Sequence, residues 1–274
     1  MRLYITGGSG YLGSYLRTIA QHNGWQVHAS VFQAPADLDA DVVDLRRRGQ
    51  LTAAIRAFAP HAVIHTAYRQ HEPDLHAVTV LGAIEAAAAS AMVGARHIHL
   101  SSDMVFAGTA AEYDEIDAPN PIVPYGFAKA VAEAGVAQAN PEASIVRTSL
   151  IYSPLHQPPG RHEQLALAAA NGTNPMNFFH DEIRCPVLVD ELAEALLILI
   201  AQPHRGPLHL VGRDAISRFE FAQRIVRARG GDPALLKSAS LTSLHIPRPA
   251  RLVLRSTYPN PAWQLRGVRT VLPD

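Results

Sequence analysis

Tyr125 and Lys129 stand four residues apart in Tyr125-Gly126-Phe127-Ala128-Lys129, a segment that reads as the opening of a helix. That spacing puts a phenol and an ammonium on one helical face. Upstream, the serine pair of Leu100-Ser101-Ser102-Asp103 closes an apolar run, at the kind of strand end where open α/β sheets hold their ligands. Reduction of a carbonyl by hydride needs a proton donor beside the new alkoxide. A phenol of ordinary pKa, about 10, is a weak acid-base group at neutral pH, and a neighbouring ammonium favours its ionised form. A serine hydroxyl near the same oxygen can polarise the carbonyl. Tyr-x-x-x-Lys alone is a common accident. It gains meaning from the strand-end serine and from a glycine turn at the N-terminus.

That turn is Thr6-Gly7-Gly8-Ser9-Gly10-Tyr11-Leu12-Gly13, between an apolar strand and a helix. Gly7, Gly10 and Gly13 have the G-x-x-G-x-x-G spacing: a tight turn, close backbone approach to a pyrophosphate, and helix-strand packing. Backbone N–H groups at the helix start, at Tyr11 and Leu12, then face the phosphates. The chemistry implied is binding of NAD or NADP. The second strand ends His28-Ala29-Ser30-Val31-Phe32-Gln33, with no carboxylate for a ribose 2′-hydroxyl. Ser30 would not repel a 2′-phosphate, so NADP is slightly favoured over NAD. A preference for NAD would need an acid from elsewhere, Asp37 or Asp39. Asp44 either reaches the adenine amino group or is a solvated loop acid.

These groups need a scaffold that brings strand ends together. Strands are expected at Leu3–Thr6, Gln26–Val31, Val42–Val43, Ala62–Thr66, His97–Leu100 and Ser144–Arg147. Helices are expected at Tyr11–His22, Gly49–Phe58, Leu75–Met92 and Tyr125–Ala139. The alternation implies a Rossmann-type doubly wound parallel sheet of the α/β class, over residues 1–150. Beyond Ile151, Pro154, Pro158, Pro159 and Gly160 interrupt the pattern. A helix at Val189–Ala201, a strand at Leu208–Val211 and a helix at Phe219–Arg229 remain legible. Residues 151–274 are therefore expected to form a small substrate-binding lobe, with some segments returning to the core.

The chain has 274 residues, 48% of them hydrophobic and 18% charged, which is enough for a substantial core. Lys plus Arg and Asp plus Glu are equal at 24, so no net field favours nucleic acid or an anionic membrane. The single Cys185 excludes an internal disulfide and reads as packing. Fourteen histidines show no metal-ligand spacing, so no metal is expected, and His97 and His99 read as a buried pair. No window is expected to be long and apolar enough to span a bilayer, the richest being Leu192 to Ala201 at about half the required length. A cytoplasmic setting is expected; a homodimer is compatible with the chain, whose oligomeric state the sequence leaves open.

The motifs together resemble the extended short-chain dehydrogenase/reductase family, and within it the RmlD-like sugar-nucleotide reductases. Ser101-Ser102-Asp103-Met104-Val105-Phe106-Ala107-Gly108 is similar to that group's S-T-D-Y-V-F-x-G segment, and Tyr125 to Lys129 match its Y-G-x-x-K. Arg147-Thr148-Ser149, Asp181 to Pro186 with Val189 to Ala193, His209 to Gly212, and Arg248-Pro249 extend the likeness over nearly the whole chain. The resemblance implies that Ser102 polarises the substrate carbonyl, Tyr125 gives the proton, and Lys129 holds the nicotinamide ribose and lowers the Tyr125 pKa. It also implies that Ala67 lies against the cofactor and that Asp103 and Met104 lie near a nucleotide-linked sugar. Arg184 and Arg248 either bind the diphosphate of that substrate or serve structure.

Three departures accompany the likeness. Thr79 aligns where the family often has Asn. The segment Tyr68-Arg69-Gln70-His71 before Glu72-Pro73 is short, and Leu150-Ile151-Tyr152 follows without the Trp common in rhamnose-pathway reductases. Two alternatives to a reductase therefore stand: a sugar-nucleotide epimerase or dehydratase with tightly held NAD, and a non-catalytic cofactor-binding regulatory subunit.

Overall fold

The computed structural model describes residues 1–33, 38–244, 246–258, 260 and 262–273. The chain divides into two compact units, the first made of residues 1–105, 124–147 and 193–208, the second of 106–123, 148–192 and 209–274.

In the first unit, β1 (Arg2–Thr6) runs into α1 (Tyr11–His22), followed by β2 (Gln26–Val31), β3 (Asp41–Val42), α2 (Gln50–Phe58) and β4 (Ala62–His65). A π-helical turn (Leu75–Leu81) leads into α3 (Gly82–Met92), then β5 (Arg96–Ser102), α4 (Pro124–Ala139) and β6 (Ser144–Thr148). In chain order, the second unit follows with β7 (Ile151–Tyr152), α5 (Arg161–Ala170), β8 (Asn177–Phe179), β9 (Ile183–Arg184) and β10 (Val187–Leu188). Next come α6 (Val189–Ala201) and β11 (Gly206–His209), then β12 (Ile216–Ser217), α7 (Arg218–Ala228), β13 (Lys237–Ala239) and α8 (Val268–Val271).

The main sheet has seven strands in the order β3-β2-β1-β4-β5-β6-β11. This is the doubly wound order, and its switch point falls between β1 and β4. Register is fixed by buried runs: Tyr4 faces His28 on β2 and Val63 on β4, and His65 faces His99 on β5. On α1, Leu12, Leu16 and Ala20 recur at four-residue intervals and are buried, so one face of the helix packs down while its polar face stays outward. The alanines of α3 let it approach closely: Ala83 and Ala87 pack with Ala132 and Val136 of α4. Gly135 belongs to the same contact, because a Cβ there would lie 2.4 Å from Ile84.

The π-helical turn and α3 together correct the membrane reading. Leu75–Met92, and not the window Leu192 to Ala201, is the run with the length and apolarity of a bilayer span. Half of it is buried, and it serves as the crossover between β4 and β5.

Apart from α7, expected at Phe219–Arg229, the second unit is built on short pieces that the sequence pattern did not reveal. Its core joins Tyr152, Ala166, Phe178, Phe221 and Ile225 from β7, α5, β8 and α7. Buried Glu163 ties it locally, accepting from the Ser153 hydroxyl and from the Gly160 and Ser153 backbone N–H groups, and pairing with Arg229 at 2.9 Å.

Candidate active site

The C-terminal ends of β1 and β4 meet at the switch point. Gly7 has φ +69°, and a Cβ there would lie 3.0 Å from the Thr66 hydroxyl and 3.1 Å from the Ala67 backbone. A side chain at Gly13 would sit 2.3 Å from the Gly7 carbonyl oxygen. Both glycines are thus required by close backbone approach, and Ala67 is brought against the turn. Thr6 fastens the two strand ends: its hydroxyl pairs with His65 Nδ1 at 2.8 Å and accepts from the Thr66 N–H. Gly10 is the N-cap of α1 and provides no side-chain cap, which leaves the first-turn N–H groups at Tyr11 and Leu12 for an anion. A pyrophosphate suits this cradle, whose shape depends on both glycines: a Cβ at Gly7 would press on Thr66 and Ala67, and one at Gly13 on the Gly7 carbonyl.

At the end of β2, Ser30 is 3% exposed and its carbonyl accepts from the Gly8 N–H at 3.0 Å. Phe32 and Gln33 beyond it are exposed, and Phe32 is flanked by the guanidinium groups of Arg46 and Arg69 at 5.0 and 5.9 Å from its ring centre. Arg17 on α1 donates from Nε to the Gly8 carbonyl at 2.9 Å. Neither Arg17 nor Arg69 was singled out in the sequence, because both are remote from β2 along the chain. Asp44 is held by Arg46 through two side-chain hydrogen bonds of 2.8 and 2.9 Å, and that bonding keeps its carboxyl below the usual range. Asp39 is exposed, and Asp37 lies outside the described residues.

Ser102 ends β5, and Asp103 and Met104 follow in a 3₁₀ turn. The Ser102 hydroxyl donates to Asp103 Oδ1 at 3.1 Å and accepts from the Met104 N–H at 3.2 Å. Tyr125 and Lys129 project from the first turns of α4. Burial, and then the neighbouring Tyr68 and Asp103, push the Tyr125 phenol well up, while the Ser102 hydroxyl opposes them. Lys129 is only 3% exposed. Burial brings its pKa down to about 8, and attraction to Glu133 opposes that fall. The ammonium donates to the Leu100 carbonyl at 2.7 Å and lies 5.4 Å from the centre of the Tyr68 ring. Tyr68 in turn lies 5.8 Å from Tyr125, ring to ring. The short segment after β4 therefore supplies an aromatic partner to both groups, which its length alone did not disclose.

Thr79 is buried in the π-helical turn, where its hydroxyl donates to the Arg69 carbonyl at 2.7 Å and accepts from the Arg69 N–H at 2.8 Å. It clasps the segment that carries Tyr68. In the second unit, Arg184 spends its guanidinium on the carbonyls of Ile183, Ala250 and Pro249 and on Glu182 at 3.0 Å. Arg248 is more open, paired to Glu182 at 3.0 Å and lying over the Phe179 ring. No cluster of His, Cys, Asp and Glu suited to a metal occurs among the described residues.

The family model described as the RmlD substrate binding domain matches residues 1–270. The dTDP-4-dehydrorhamnose reductase of Mycobacterium tuberculosis is 32% identical over 274 residues, covering 97% of this chain and 88% of the relative. Methionine adenosyltransferase 2 subunit beta of Xenopus laevis is 29% identical over 241 residues, covering 81% of this chain and 70% of that protein. Among solved structures, the dTDP-4-dehydrorhamnose reductase of Bacillus anthracis in complex with NADP matches with a TM-score of 0.84 at 23% identity, covering 99% of this chain and 96% of that one.

Proposed function

Since the chain belongs to the RmlD substrate binding domain family, we propose that it is an NAD(P)H-dependent reductase of a keto-sugar nucleotide. One observation carries the reading: Ser102, Tyr125 and Lys129 converge at the end of β5 and the start of α4, in the same unit as the Gly7 turn. The named activity of the mycobacterial relative supports it. The nicotinamide cofactor, when bound along the Gly7–Gly13 turn, supplies the hydride.

The chain's own groups do the rest. The Ser102 hydroxyl turns from Asp103 to the substrate carbonyl oxygen and polarises it. Tyr125 gives its proton to the oxygen as negative charge develops there. Its raised pKa keeps the phenol protonated until then, and an alkoxide is basic enough to take that proton. Lys129 contributes a buried cation whose field favours the phenolate left behind. In the second unit, Arg248 is the better of the two arginines for a substrate diphosphate, because Arg184 is consumed by backbone carbonyls.

The direct test is NAD(P)H oxidation with a panel of keto-sugar nucleotides. Turnover of at least one of them is expected. Gly10→Val should weaken cofactor binding by about a hundredfold, read by calorimetry, since losing one or two charge-assisted bonds to phosphate costs roughly 3 kcal/mol. Unchanged affinity in that variant would remove the turn from the assignment.

A preference for NADP gains a physical basis in Arg17 and Arg69 beside the end of β2. Replacing either with Ala should reduce NADP affinity roughly tenfold and leave NAD affinity nearly as it was. Equal losses for both cofactors would place these arginines away from the 2′-phosphate. The second reading, a cofactor-binding regulatory subunit, is favoured by the likeness to the Xenopus laevis subunit. Tight cofactor binding with no turnover across the panel would select it.

A further inference from the structure

Lys129 sits where an ammonium is expensive. One N–H bond, to the Leu100 carbonyl, is its only direct hydrogen bond among the described residues, and the Tyr68 ring face covers another side. From the sheet, it is faced by His65 on β4 and His99 on β5, two stacked rings with centres 5.6 Å apart. Both are fully buried, and burial together with the field of Lys129 keeps them neutral, so neither compensates its charge. Tyr125, one turn back on α4, is held in its neutral form by burial.

One turn forward on the same buried face is Glu133, 5% exposed. It is fixed from two strands. Ser101 on β5 donates to Glu133 Oε1, and Arg147 on β6 donates from Nε at 3.1 Å to Oε1 and from a terminal nitrogen at 2.9 Å to Oε2. No hydrogen bond joins Glu133 to Lys129. The carboxylate acts on the ammonium through space, in a site where water screens little.

We propose that Glu133, clamped by Arg147 and Ser101, is a positioning residue that holds Lys129 as a cation inside its buried pocket. It is the one carboxylate among the described residues whose field reaches Lys129 appreciably. The clamp explains why two further polar groups are buried with it: an untethered carboxylate could swing to Lys129 and pull the ammonium from Leu100. Held one turn away, Glu133 favours the charge without claiming the N–H groups. The consequence for turnover rests on the reductase reading, but the assignment of Lys129's charge does not.

The test uses the fact that the chain has only two lysines, Lys129 and the exposed Lys237. Carbon-13 labelling of lysine gives two side-chain signals, and Lys237→Arg identifies them. In the 274-residue chain Lys129 should titrate near 8, as burial and Glu133 together place it. Glu133→Gln should lower that midpoint by about one pH unit or more, the usual effect of losing an opposite charge nearby. Glu133→Asp should restore part of the shift. Should Glu133→Gln leave Arg147 too costly to bury, the double variant Glu133→Gln, Arg147→Met removes both charges and should again lower the midpoint. A Lys129 midpoint unchanged in a folded variant lacking the carboxylate overturns the proposal. In a reductase the alkaline limb of kcat/KM moves down with the midpoint. A midpoint that moves without the limb upholds Glu133's role and counts against the catalytic reading of Lys129.

Discussion

Replacing Tyr125 with phenylalanine is expected to cut turnover by about a hundred- to ten-thousand-fold, roughly 3 to 5 kcal/mol of barrier, with cofactor affinity little changed. The substitution removes one oxygen and keeps the ring. The ring's contact with Tyr68 and its packing with Leu75, Val80 and Ala128 therefore survive, and the pocket keeps its shape. What disappears is the phenol hydroxyl, the group proposed to give its proton to the developing alkoxide. Lys129→Met should behave differently, lowering turnover and cofactor affinity together, because the resemblance gives the ammonium a second task at the nicotinamide ribose. The measurement is initial rate of NAD(P)H oxidation, with cofactor affinity for each variant. Equal turnover by Tyr125→Phe and wild type would remove Tyr125 as proton donor.

The first half of the chain was legible because its strands are short apolar runs and its helices amphipathic or alanine-rich. β1, β2, β4 and β6 lie within a residue of their expected bounds, and α1 has its expected ones. In the second unit α7 lies within a residue of its expected bounds, but the short strands and α5 were not legible. β7, β9, β10 and β12 have two residues each, too short for any period to show, and α5 follows directly on the proline-rich stretch that reads as a break. At the site, the residues read from motifs were Ser102, Tyr125, Lys129 and the glycines. Those missed make contact only through the fold. Arg17 reaches the Gly8 carbonyl and Arg69 reaches Phe32 across the sheet. Glu133 had a usable signal, since four residues after Lys129 on one helix places it on the same face. Its meaning came only with Arg147 and Ser101 beside it. The Tyr-x-x-x-Lys spacing also did not disclose that burial, Tyr68 and Asp103 raise the Tyr125 pKa, or that the Lys129 ammonium donates to the Leu100 carbonyl.

Stability should fall steeply as the pH drops below about 6.5, before most carboxylates titrate. His65, His97 and His99 are fully buried in the first unit, and burial pushes all three down, His97 to about 3. In the unfolded chain each would take a proton near pH 6.5. Below that value the unfolded state binds more protons than the folded one. Stability is therefore full above about 6.5 and declines as pH falls toward the folded pKa values. Each histidine contributes up to about 1.4 kcal/mol per pH unit, so three give about 4 kcal/mol per unit in the lower part of the window. Against a typical total of about 5 to 15 kcal/mol, the first unit should unfold between roughly pH 6 and 4. Urea titrations at a series of pH values would measure the slope. His99 provides the sharpest control, because neither of its ring nitrogens has a hydrogen-bond partner among the described residues. His99→Leu removes one titrating group and forfeits no hydrogen bond, so it should flatten the slope by about a third and gain stability at pH 5. The same slope in variant and wild type, or no proton uptake on unfolding at that pH, would mean that His99 already carries its proton in the fold.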